Sequence, residues 1–152
     1  MTHFHDLTPY EYNADDLQGV NVGWLSTDHP YPEGDVPPGL LDILKRCCHD
    51  VGVHQTRGLH ACDFCDDPYA YRENRDLGSA EIWIFSEDRI YAAPTLIVHY
   101  IEAHRYLPPQ DFIAAVMTGP MPPDRVYLQR LRDLNIDYSD HADLRNRYPD
   151  EF

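Results

Sequence analysis

Two short runs far apart in the chain constrain its fold more than anything else: Cys62-Asp63-Phe64-Cys65 and His99-Tyr100-Ile101-Glu102-Ala103-His104. A tetrahedral zinc site needs four soft or borderline donors within about 2.0–2.3 Å of one ion. A C-x2-C turn aims two thiolates at one point, and two histidines near the end of a helix supply the other two. If both pairs serve one ion, an irregular loop must be packed against a distant helix. The four intervening residues of the histidine pair fall in the x3–x5 range of such sites. Five residues of ideal α-helix, however, rotate by about 500°, or about 140° net. His104 can face the same point as His99 only if the last turn is loosened, and Pro108-Pro109 closes the helix soon after.

Other donor sets compete. His60, two residues before Cys62, could replace either helix histidine. Cys47 or Cys48 could complete a thiolate-rich site, although their spacing reads better as core, and His54 is a weaker candidate. Cys62 and Cys65 could also be small loop residues, His99 a core histidine, and His104 a residue favoured by the C-terminal helix dipole. Asp63, Asp66 and Glu102 are the carboxylates near enough to orient ligand imidazoles through the second ring nitrogen. Arg57 with His60 could form an anion-binding corner. A redox role for Cys62 and Cys65 is disfavoured, because Asp63, Asp66 and Asp67 surround them and negative neighbours raise a thiol pKa.

Two thiolates with two imidazoles fill a tetrahedral sphere, which points to a structural rather than a catalytic ion. The chain has no H-E-x-x-H, no H-x-E, no G-x-x-x-x-G-K-[ST] and no G-x-S-x-G, so the commonest metalloprotease, deaminase, phosphate-loop and serine-hydrolase patterns are missing. A zinc-dependent hydrolase using Glu102, His60 or Arg57 becomes thinkable only if one ligand is absent and a position opens.

Charge narrows the partners. Twelve basic residues against twenty-six acidic ones leave −14. Such a surface repels nucleic-acid phosphates and anionic membranes, and suits a basic protein or a metal ion. The N-terminus shows no basic region followed by an apolar run, and the longest apolar stretch, Tyr91 to Ile101, is too short to span a bilayer. Four cysteines without a leader suggest a reducing compartment. The expected location is the cytoplasm.

With 152 residues, 43% of them hydrophobic and 25% charged, the chain can bury one core and is expected to form one domain, with 1–19 and 136–152 less ordered. Thirteen prolines and eight glycines predict short elements. Asn21 to Leu25 reads as a short strand. Asp35 is a candidate N-cap for a helix over 37–49, with Leu40, Leu44, Cys47, Cys48 and Val51 on its buried stripe. Gly52 to Arg75 has no regular period. Ala80–Phe85 and Arg89–Ala92, joined through Ser86-Glu87-Asp88, predict a β-hairpin. Pro94 is expected to start the histidine-bearing helix. Further helices are expected over 110–117 and after Pro122-Pro123-Asp124. Together these give an α+β fold in which a small antiparallel sheet, with its hairpin at about 80–92, is packed by three to four short helices and zinc pins the loop.

The runs Gln55-Thr56-Arg57-Gly58-Leu59-His60-Ala61-Cys62-Asp63-Phe64-Cys65 and Tyr91-Ala92-Ala93-Pro94-Thr95-Leu96-Ile97-Val98-His99-Tyr100-Ile101-Glu102-Ala103-His104-Arg105-Tyr106-Leu107-Pro108-Pro109, with Asn21–Leu25 and Gly78–Ile82, resemble a family of small bacterial proteins of unassigned function. The resemblance covers about 20–117, and its R-G-x-H-x-C-x-x-C and A-P-x-L-I-x-H-Y-x-x-x-H pieces carry it. It implies a shared fold and one site made of Cys62, Cys65, His99 and His104, and it brings no activity with it. The reading that follows is a non-catalytic, acidic zinc protein that binds a basic partner, with an immunity-type or inhibitory role as one version. The alternatives are a zinc hydrolase and a subunit of a larger assembly.

Overall fold

The computed structural model describes residues 3–11, 19–134, 146 and 148–150. Three strands and four helices follow one another as β1 (Gly19–Asn21), α1 (Leu40–Asp50), β2 (Glu81–Phe85), β3 (Ile90–Pro94), α2 (Ile97–His104), α3 (Gln110–Thr118) and α4 (Arg125–Asp133). A four-residue 3-10 turn, Ala70–Glu73, lies in the irregular segment before β2. The fold is α+β, as the sequence predicts.

The β2–β3 hairpin forms with Glu81 opposite Pro94 and Phe85 opposite Ile90. The sheet is not antiparallel throughout. Its order is β1-β3-β2, and β1 lies parallel to β3, Gly19 opposite Ile90 and Asn21 opposite Ala92. A parallel neighbour requires a long crossover, and the chain provides one through α1 and the irregular segment. The strand expected at 21–25 sits earlier, at 19–21. Residues 22–25 continue as buried chain that departs from extended backbone at Gly23 (φ +81°), with the Val22 amide bonded to the Ala92 carbonyl at 3.1 Å.

Helix α1 starts later than expected. Asp35 does not cap it; Gly39 does, at a φ of +92°. Pro38 pushes Pro37 out of helical backbone, and the reversal falls on a glycine that takes positive φ without a Cβ penalty. From there Leu40, Leu44, Cys47 and Cys48 are buried as the stripe predicts, with Val51 following. Pro94 ends β3 instead of opening a helix, and α2 begins three residues on. A proline fits the end of a strand, where a missing amide costs little. Helices α3 and α4 lie where the chain punctuation places them.

Residues 3–10 run beside 19–24. The Phe4 amide bonds to the Trp24 carbonyl (3.2 Å), Leu7 to Asn21 (2.7 Å) and Tyr10 to Gly19 (2.9 Å). Most of 136–152 lies outside the described residues. Helix α4 docks on the hairpin: the buried Tyr127 hydroxyl donates to the Trp83 carbonyl at 2.6 Å, and Arg130 sits 4.5 Å over the Phe85 ring. Among the described residues, no helix is long and apolar enough to cross a membrane.

Candidate metal centre

The irregular segment is laid against the hairpin by backbone bonds. Val53 and Glu81 exchange two at 2.8 Å each, the Thr56 amide reaches the Ser79 carbonyl at 2.6 Å, and the His60 amide reaches Gly78 at 2.8 Å. Gly78 has a φ of +93°, and the Tyr71 ring packs where a Cβ would stand. The chain then folds back, Cys62 amide to Pro68 carbonyl at 2.7 Å, and turns tightly, Cys65 amide to Cys62 carbonyl at 3.3 Å. In this knuckle the amides of Phe64 and Cys65 point at the Cys62 sulfur.

Helix α2 brings the imidazoles. His99 lies in its first turn and His104 is its last residue. The loosened end is present. The Arg105 amide bonds to the Tyr100 carbonyl, five residues back instead of four, and the Tyr106 amide reaches the same carbonyl at 3.1 Å. Arg105 takes a φ of +56°, unusual for a residue with a Cβ. This wider turn swings His104 onto the side of His99, and their ring centroids are 5.0 Å apart.

The four side chains meet. Cys65 Sγ is 3.2 Å from His99 Nε2 and 3.3 Å from His104 Nε2, and Cys62 Sγ is 3.4 Å from His104 Nε2. All four donor atoms lie within 4.8 Å of one another. For sulfur at about 2.3 Å and nitrogen at about 2.0–2.1 Å from a tetrahedral ion, sulfur and nitrogen should be about 3.5 Å apart. The spacings therefore fit donors arranged around one ion.

The surroundings suit a cation. Cys62 is fully buried, and burial pushes its thiol up to about 11, against the pull of the Phe64 amide. A thiol in that state is no redox nucleophile at neutral pH; its thiolate needs a positive partner in place of water. Burial, rather than the nearby aspartates, is the main cause. Burial also pushes His99 down, with His104 adding to it, and pushes His104 down by itself. Both rings are thus held neutral, the form that binds a metal. Aromatic rings enclose the group: Phe64 lies 5.4 Å from His104 and 5.3 Å from Tyr31, and Tyr71 lies 5.6 Å from His99. Tyr31 comes from a remote proline-rich loop, which no local spacing ties to the site.

The rival donors stand elsewhere. The His60 carbonyl accepts from the Tyr71 hydroxyl, and His60 is not part of the cluster. Cys47 faces the Met121 sulfur at 3.7 Å and Cys48 the Thr95 carbonyl at 3.8 Å, both in the core. His54 lies against Glu81, 3.2 Å away. Glu102 pairs with Lys45 at 2.9 Å instead of orienting a ligand ring. No cysteine pair is bridged.

No curated protein and no solved structure matches the chain. A family model does match, over residues 2–117, a span that holds all four clustered residues and stops within α3. The chain therefore belongs to the family described as a domain of unknown function, DUF7919.

Proposed function

We propose that Cys62, Cys65, His99 and His104 bind one zinc ion in a structural site, and that the protein acts without catalysis, by binding a basic protein partner. The convergence of four donors, two thiol and two imidazole, carries the first half. Mixed sulfur and imidazole donors favour zinc among the common divalent ions, and four protein ligands leave no position for a reacting water. The ion would fasten the 52–75 segment, which has little regular structure of its own, to α2. Its chemistry there is to compensate two thiolates and hold the knuckle closed. A hydrolase reading needs one of the four to stand apart, and none does.

Charge supports the second half. A net −14 attracts a basic surface and speeds encounter with it. The open groove beside the hairpin tip, about 660 Å³, is lined by Glu87, Asp88 and Asp111 against one cation, Arg89. An immunity-type or inhibitory role toward a basic protein is the form most in keeping with small size and charge. The thiols would stay reduced in the cytoplasm.

The test is elemental analysis of protein purified without added metal, together with a Cys62→Ser variant. Bound zinc, one equivalent of which is lost in the variant along with folding, supports a structural site. A variant that folds normally but loses an activity would transfer the site to catalysis. For the partner, pull-downs at low and high ionic strength should retain a basic protein at low salt and release it at high salt. Retention that ignores salt would count against electrostatic recognition.

A further inference from the structure

A second histidine cluster lies outside the site described above. His3, His5 and His29 place three imidazole nitrogens within 4.8 Å of one another. The local chain explains why. Residues 3–5 are extended beside Trp24, with the Phe4 amide on the Trp24 carbonyl at 3.2 Å. In extended chain, side chains alternate. Phe4 therefore turns inward, edge to face with Trp24 at 5.4 Å, and His3 and His5 share the opposite side. The turn over Ser26–His29, closed by the His29 amide on the Ser26 carbonyl at 3.3 Å, delivers the third ring ahead of Pro30.

The rings are close and poorly satisfied. Centroids stand 4.8 Å apart for His3 and His5, 5.1 Å for His5 and His29, and 4.1 Å for the stacked pair His3 and His29. Both ring nitrogens of His3 are shielded from solvent, and neither makes a hydrogen bond of ordinary geometry. A shielded polar atom without an ordinary hydrogen bond calls for an explanation. Asp6, the carboxylate whose charge acts on His3, is committed elsewhere: Oδ1 accepts the Gly23 amide at 3.0 Å and Oδ2 the Tyr106 hydroxyl at 2.7 Å. Those bonds also clamp the segment that bears His3 and His5. Burial pushes His3 down, and His29 and His5 add to that, against the Trp24 carbonyl.

We propose that His3, His5 and His29 form a second metal site that takes one borderline divalent ion, of the zinc and cobalt class, and leaves a coordination position open to solvent. Neutral imidazoles suit such ions. Three of them leave a fourth tetrahedral position unfilled, as in catalytic rather than structural sites. His5 is exposed, so that position faces water. The proposal does not depend on the cysteine site, and the two differ in chemistry, since only the cysteine site has thiolates.

Cobalt(II) titration separates the two sites. Cobalt bound by cysteine shows thiolate charge-transfer absorption in the near ultraviolet; cobalt bound by imidazoles alone does not. The full chain should bind two equivalents. His29→Ala and the more exposed His5→Ala should each weaken one equivalent by more than the roughly 10–100-fold that losing a group behind a ligand costs, and keep the charge-transfer band. Cys65→Ser should lose the band and keep the other equivalent. A wild type that binds a single equivalent with the band, and histidine variants that titrate identically, would overturn the second site. A single equivalent without the band would support the histidine site and remove the cysteine one. No uptake at all would overturn both.

Discussion

The Tyr31 hydroxyl donates to the His104 carbonyl at 3.0 Å, tying the proline-rich loop to the widened last turn of α2. The turn needs such a tie, because Arg105 holds a left-handed backbone there and nothing in its own side chain favours one. Tyr31→Phe keeps the ring against Phe64 and removes only the hydroxyl. Stability should fall by about 1 kcal/mol, the net value of one hydrogen bond, and the metal affinity proposed for the cluster should fall less than tenfold. Urea unfolding and competition with a chromogenic chelator measure the two effects.

Removing one of the four clustered donors should cost far more. In Cys62→Ser the remaining donors no longer close a tetrahedron, and the 52–75 segment loses its attachment to α2. A metal held in a structural site, as proposed above, contributes its binding free energy to folding. A drop of about 3 kcal/mol or more is expected, about 6–12 °C in Tm for a chain of this size. A chelator should lower the wild-type Tm by a similar amount and leave the variant unchanged. Equal chelator sensitivity in both proteins would show that the stabilising ion sits elsewhere.

Legibility in the sequence followed the range of the forces involved. The stripe of Leu40, Leu44, Cys47 and Cys48 and the hairpin were readable because periodicity and turn residues act locally. The Cys62, Cys65, His99 and His104 grouping was readable because donor spacing is a chemical constraint. The parallel partner of β3 was not, since Gly19–Asn21 is three residues long and its pairing is set only by the whole crossover. Pro94 is ambiguous in sequence because a proline that closes a strand and one that opens a helix look alike without the pairing of the neighbouring strands. The cluster of His3, His5 and His29 went unread because one ring comes from a loop whose path no local rule specifies.

Glu81 presents a test of how the N-terminal segment is held. This carboxyl group is buried in β2, accepts from the Tyr10 hydroxyl at 2.6 Å and the Trp83 indole at 3.3 Å, and lies 3.2 Å from His54 Nδ1. Glu81→Ala takes the acceptor from the Trp83 indole and leaves the Tyr10 hydroxyl with His54 Nδ1, 3.2 Å away, and should cost about 2 kcal/mol or more, since an unpaired buried donor costs about 1–3 kcal/mol. Tyr10→Phe removes one partner and should cost about 1–2 kcal/mol. Denaturant midpoints should shift with the slope unchanged. A near-neutral Glu81→Ala would show that these contacts contribute nothing net.

Stability should decline on both sides of neutrality, for opposite reasons. Burial pushes the Cys47 thiol from about 9 to about 12. Above pH 9 the unfolded chain loses that proton while the folded chain keeps it, so stability falls as pH rises, by up to about 1.4 kcal/mol per unit between pH 9 and pH 12. Cys48, also pushed up mainly by burial, acts in the same direction. Burial pushes His60 below its ordinary 6.5. Below that pH the unfolded chain takes up a proton the folded chain resists, so stability falls as pH drops. Cys47→Ala should lower stability at every pH because it leaves a cavity, but flatten the decline between pH 9 and pH 10. His60→Gln should flatten the acid side alone. Urea midpoints at unit pH steps read both slopes, and a Cys47→Ala profile as steep as the wild type over that window would assign the alkaline loss to other groups.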